Sequence, residues 1–326
     1  MDEENSSKGN EKKFSRREIL KGAAVLFGAA ATGNLISGCS DNETSAQPSP
    51  IKIKTSTPPL AVPTSPPSPE VRPQVNLKDQ TFFSGLKGEN LLRAQQRVVD
   101  QITHYQNDPG LQNRINQSKK YSGDVNLCAI KLGFRPDSFV PPLLTSLIFV
   151  ESAGNEKALS GDGLAKGLCQ LTPDTTLAAF NKITLAERVA LGIKATKVDE
   201  LDLYDKTTNI ALSLQILAVY KEWFPDPSLT LWCYHLGPKY LIGAMRAYIS
   251  GHKLETDEDL NRILGNEAKP GTTELVIKHK LNFFTLIEDE NVKLYFDNLK
   301  KKRESNLDDT EFYIPRLVAA GYFLTK

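Results

Sequence analysis

From Asn76 to Lys326 the apolar residues recur at the 3.6-residue spacing of helices, and the alternation that marks strands is scarce. This confines the stretch to a mainly α architecture. Leu91, Leu92, Val98, Val99 and Ile102 fit one amphipathic stripe, while Asn209 to Trp223 is apolar nearly all round, as a centrally buried helix should be. Pro and Gly in GFRPD, WFPDP and AKPGTT mark loops, each expected to separate two helical runs. No internal repeat is present. The expectation is one compact helical domain over residues 76–326, with a motif-bearing core at 121–250, peripheral helices before residue 120 and after residue 270, and a C-terminal helical extension from 251.

Ahead of Asn76 the composition changes. Residues 40–75 are rich in Pro, Ser and Thr with few apolar side chains, too little apolar surface to offset chain entropy, so a disordered, extended linker is expected. Further upstream, Ser15-Arg16-Arg17-Glu18-Ile19-Leu20-Lys21 precedes an uncharged, weakly apolar run from Gly22 to Ile36. This resembles a twin-arginine export signal. The run falls short of the ~20 apolar residues of a membrane span, which weighs against a transmembrane anchor. It closes on Ile36-Ser37-Gly38-Cys39, which resembles a lipobox whose cysteine receives lipid. Residues 1–39 are therefore read as a signal peptide with lipidation at Cys39, and an exported protein held to the membrane by its N-terminal lipid is expected. A net charge of +1 offers no overall field for nucleic acid, and none is expected as a partner.

One residue in the helical part stands out. Pro141 and Pro142 suit a first helical turn, and the helix then runs through Leu143, Leu144, Leu147 and Ile148 to Glu151. Glu151 follows Leu147 by four residues and Ile148 by three, so helical geometry sets it on the apolar face. A carboxyl withdrawn from water favours its protonated form, which is what a general acid needs near neutral pH. The alternative is structural: Glu151 ends the helix and turns to solvent, or pairs with Lys157.

The residues that follow resemble a known family. Glu151-Ser152, then Ala158-Leu159-Ser160, then Gly167-Leu168-Cys169-Gln170-Leu171-Thr172-Pro173 with Thr175 resemble the signature of the lytic transglycosylase domain of soluble and membrane-bound murein transglycosylases, glycoside hydrolase family 23. Leu203-Tyr204-Asp205 to Asn209-Ile210, and Trp232-Cys233-Tyr234-His235-Leu236-Gly237-Pro238, resemble a second block. Asp309-Thr310-Glu311-Phe312-Tyr313-Ile314-Pro315 resembles a closing one. The resemblance covers residues 121–320, and the order of several motifs makes it specific.

It implies a lysozyme-like helical fold and cleavage of peptidoglycan glycan strands between N-acetylmuramic acid and N-acetylglucosamine, with a 1,6-anhydro product. Glu151 would be the sole general acid and base. Ser160, Cys169, Gln170, Tyr234, His235 and Tyr313 would face the substrate. Ser160 is equally suited to capping its own turn; for Gln170 and Tyr234 the less favoured alternative is a buried helix residue with a satisfied polar tip. Gly163 and Gly167 flank a tight turn.

Two positions depart from the family pattern. Cys169 stands where Met or Trp is usual, and His235 where Asn is usual. An imidazole could keep the hydrogen bonding of Asn but can also gain a proton at about pH 6.5, so a shifted pH optimum or an altered specificity is expected. With Cys39 assigned to lipid, Cys128, Cys169 and Cys233 are expected to be buried free thiols, the alternative being one disulfide plus a free thiol, with Cys169 and Cys233 as the pair of interest. His104, His252 and His279 show no metal-ligand spacing, so neither metal nor cofactor is expected, and the oligomeric expectation is a monomer. Two rival functions remain: a hydrolytic muramidase in which Asp162 or Asp174 positions a water, and a non-catalytic peptidoglycan-binding lipoprotein.

Overall fold

The computed structural model describes residues 80–325, apart from 136–139, 265–267 and 302–308. The expected signal peptide with lipidation at Cys39 and the expected disordered linker lie outside the described residues. A 3-10 turn at Gln80–Phe83 leads into α1 (Gly88–Gln106), α2 (Leu111–Lys119), α3 (Ser122–Lys131) and α4 (Val140–Ser152). A short non-helical stretch precedes α5 (Pro173–Phe180) and α6 (Leu185–Leu191), and then come α7 (Lys206–Trp223), α8 (Pro227–Leu236) and α9 (Pro238–Gly251). The chain ends with α10 (Asp257–Ile263), α11 (Ala268–His279), α12 (Phe283–Glu288), α13 (Glu290–Lys301) and α14 (Tyr313–Leu324). Among the described residues, β pairing amounts to the isolated bridges Leu159–Lys166 and Lys166–Leu171. The fold is mainly α.

Helices α4 and α7 form the centre. α4 packs against α2, α3, α7 and α14, while α7 also meets α3, α5, α8 and α11. Their sequences explain the placement. α4 buries Leu144, Leu147, Ile148 and Phe149, and α7 buries an unbroken run from Thr208 to Leu214, as expected of a helix enclosed on all sides. Several starts are fixed locally: Asp205 accepts from the Thr208 amide at 2.8 Å, and Asp226 accepts from the Ser228 amide at 2.9 Å with Pro227 at the first position.

Two expectations need correction. On α1 the buried face is Ala94, Val98, Ile102 and Tyr105, with Leu92 65% exposed. Val98 and Ile102 of the expected stripe do meet the core, but beside them it is Ala94 and Tyr105, neither counted as strongly apolar, that are buried, rather than Leu91, Leu92 and Val99. AKPGTT does not separate helices but opens α11. Pro270 falls in the first turn, where its missing amide N–H costs no helical bond. Gly271 follows because a Cβ there would lie 2.0 Å from the Ile263 carbonyl oxygen.

Helices lie before residue 120 and after residue 270, as expected. Among them α2 and α14 lie against α4, α11 lies against α7, and α1 packs along α14.

Candidate active site

α4 delivers Glu151 to the edge of the core and then stops. Ser152 donates back to the Ile148 carbonyl at 3.2 Å, and Ala153 (φ 53) and Gly154 (φ 77) swing the chain through the left-handed region. A side chain at Gly154 would strike the backbone of Gln117 on α2, with Cβ 2.7 Å from its carbonyl oxygen. Only glycine allows both that φ and that approach. Tyr121 fastens the same corner, donating to Glu156 Oε1 at 2.7 Å and lying 3.2 Å from the Gly154 carbonyl oxygen.

The Glu151 side chain is half-buried, and its Oε1 accepts a hydrogen bond from the buried Tyr313 phenol at 2.5 Å. Burial pushes the Glu151 carboxyl up from the ordinary carboxylate range to about 7, against the opposing pull of the Tyr313 hydrogen bond. Tyr313 lies in turn against the His235 ring, with centroids 4.1 Å apart and planes 14° from parallel. A carboxyl, a phenol and an imidazole from α4, α14 and α8 thus form one stack at the end of α4.

The segment after Glu151 is held by Asn209 of α7. Its Oδ1 accepts from the Cys169 amide at 2.9 Å, and its Nδ2 donates to the carbonyls of Lys166 at 3.0 Å and Leu203 at 2.8 Å. Asn209 is fully buried, so these bonds replace water at three backbone groups. Gly167 (φ 78) is required beneath it, since a Cβ would lie 2.4 Å from Asn209 Nδ2 and 2.2 Å from the Leu203 carbonyl oxygen. The Tyr234 phenol donates to the Cys169 carbonyl at 2.9 Å, with Ser213 Oγ 3.2 Å away.

Residues 135–253 match the family model described as Transglycosylase SLT domain. The chain carries an SLT transglycosylase domain. This is a family of peptidoglycan-directed, glycosidic-bond-cleaving transglycosylases with a lysozyme-like helical fold. No curated protein matches the chain. The match takes in α4 through α9, whereas Tyr313 lies outside it.

Within the SLT domain the residues singled out from the sequence fall into distinct settings. Glu151, Tyr313 and His235 meet, and Tyr234 and Cys169 lie beside them, close enough for the Glu151 charge to raise both of their pKa values. Gln170 (φ 50) adopts the left-handed conformation and commits its Nε2 to the Gly167 carbonyl at 2.9 Å, which leaves Oε1 as its free acceptor. Ser160 is used inside its own loop, donating to Asp162 Oδ1 at 2.5 Å and accepting from the Ala165 amide at 2.8 Å. Asp162 also accepts from the Leu164 amide at 3.0 Å and so closes a turn.

His235 departs from the expected titration. Burial lowers its pKa to about 4, because a half-buried ring packed on Tyr313 loses hydration of its charged form. The ring is neutral through the range where a charge was expected. Cys128, Cys169 and Cys233 are buried and unbridged, and burial pushes the Cys169 thiol up to about 12. Two contributors escaped notice in the sequence: Asn209 as the clamp on the loop, and Ser213, which donates to the Asn209 carbonyl at 2.8 Å. Their signal was present, since they are polar residues four apart on a helix otherwise apolar at its centre.

Proposed function

We propose that the chain is a lytic transglycosylase that cleaves the N-acetylmuramic acid β-1,4 N-acetylglucosamine bond and leaves a 1,6-anhydro-muramic acid end, with Glu151 as its one acid and base. The observation that carries this reading is a Glu151 carboxyl raised to about 7 whose hydrogen-bond partner is a phenol rather than a second carboxylate. At that pKa a large fraction of the acid keeps its proton near neutrality.

Because Tyr313 donates to Oε1, the exchangeable proton resides on Oε2. Oε2 protonates the glycosidic oxygen as the C1–O bond breaks, and the substrate's own acetamido group stabilises the charge that develops at C1. The carboxylate left behind, stabilised by the Tyr313 hydrogen bond, then takes the proton of the C6 hydroxyl. The C6 oxygen closes on C1, and the enzyme returns to its protonated state with no water consumed.

Digestion of purified murein followed by mass spectrometry tests this. Anhydro-muropeptides should appear with the wild type, and Glu151→Gln should release them at least about 10³-fold more slowly. Reducing-end muropeptides would assign a hydrolase instead, and glycan binding without release would assign a binding module. The N-terminal motifs support a proposal of export and lipidation at Cys39, so labelled palmitate should enter the full chain and not Cys39→Ala. Equal labelling of both would reject it.

A further inference from the structure

We propose that Arg97 on α1 is a positioning residue for catalysis, setting the start of α14 so that the Tyr313 phenol meets Glu151; this rests on the reading of Glu151 as the catalytic acid. Tyr313 is the first residue of α14, two positions after Glu311. Arg97 reaches Glu311 through Nη1 at 3.6 Å and Glu288, the last residue of α12, through Nε at 2.6 Å. One guanidinium thus ties three segments together at the end of α14 that carries the phenol. The Arg97 side chain is 25% exposed, Glu288 29% and Glu311 49%, so the pair with Glu288 is the more shielded anchor and the reach to Glu311 the more open one.

The far end of α1 holds α14 differently, and reaches α4 as well. Tyr105 sets its ring edge-on to Phe149 of α4 at 5.2 Å and to Phe323 of α14 at 6.3 Å. Phe149 lies two residues before Glu151, and Phe323 lies near the end of α14 opposite Tyr313. Near Phe323, Gly321 faces α4, where an added Cβ would meet Ser146 Oγ at an ordinary contact distance of 3.4 Å. Apolar packing therefore fixes α14 at its C-terminal end, and the forked ion pair fixes it at its N-terminal end. A hydrogen bond weakens once donor and acceptor part beyond about 3.2 Å, so the one between Tyr313 and Glu151 tolerates little drift of the helix that carries one partner. Arg97 acts on Glu151 only through Tyr313.

The test is a double-mutant cycle in the full chain. Arg97→Met keeps the aliphatic stem against α1 and removes the charge. It should lower kcat about tenfold with KM unchanged, and Arg97→Lys should recover part of the loss. In a Tyr313→Phe background the same substitution should cost nothing further, because the phenol it positions is gone. Glu311→Gln cuts the tether from its more exposed side and serves should Arg97→Met fail to fold. Wild-type kcat in these folded variants, or a loss that multiplies fully with that of Tyr313→Phe, overturns the proposal. If the wild type itself releases no product, the functional reading has failed, and the tether is then read from the Glu151 carboxyl alone. Its pKa should rise in Tyr313→Phe and part of the way in Arg97→Met, and an unmoved value in Arg97→Met overturns it.

Discussion

Glu151 is enclosed from two sides that are built differently. On one side lies the segment from Ala153 to Thr172, clamped by Asn209 through hydrogen bonds to the backbone of Lys166 and Cys169, with a third to Leu203, and lying within the matched SLT region. On the other lies α14, outside that region, held by ring packing at one end and by Arg97 at the other. The first side is a backbone construction whose shape is dictated by left-handed residues and one amide. The second is a side-chain construction whose shape depends on how distant helices pack. Disrupting the first should cost fold as well as activity, whereas disrupting the second should cost catalysis while the fold persists.

The largest effect is expected from Asn209→Ala. It leaves the Cys169 amide and two carbonyls without their buried partner, and should lower stability by about 3 kcal/mol in a denaturant titration. A loss below about 0.5 kcal/mol would mean the clamp is not what holds the loop.

Tyr313→Phe should spare stability and lower kcat by about 30-fold, since the carboxylate formed after proton transfer loses its one donor. The same change should move a pH limb. Glu151 must hold its proton to act, so the rate falls as pH rises through about 7. The Tyr313 hydrogen bond favours the ionised carboxyl, and its removal should therefore carry that limb to higher pH. A limb that stays in place would separate the phenol from the acid.

His235→Asn should do least. With the imidazole neutral above about 4, its loss should leave the shape of the pH profile from about pH 5 to about pH 8 unchanged. A shifted limb in that variant would reinstate His235 as a titrating group.

The same division explains what could be read from the chain in advance. Glu151 was legible because its inward placement needs only the three- and four-residue offsets to Ile148 and Leu147 on one helix. The helical architecture and the motif order were legible for the same local reason. Gly167 could be placed in a tight turn, but that it underlies Asn209 could not, since the contact spans separate elements. Tyr313 was visible as a motif residue, yet its bond to a carboxyl 162 positions earlier is a product of packing. His235 illustrates the limit most clearly. Its type suggests a proton switch, and only the Tyr313 ring at 4.1 Å and the burial around it show why it does not charge. On α1 the eye follows Leu91 and Leu92, but the helix turns Ala94 and Tyr105 to the core.

The most direct measurement is a titration of the Glu151 carboxyl itself, by carbon-13 resonance in selectively labelled protein with Glu151→Gln to assign the signal. Half-protonation should fall at a pH of about 7. A midpoint at the ordinary 4.5 would show a carboxylate that holds no proton to give, and would contradict the role assigned to it.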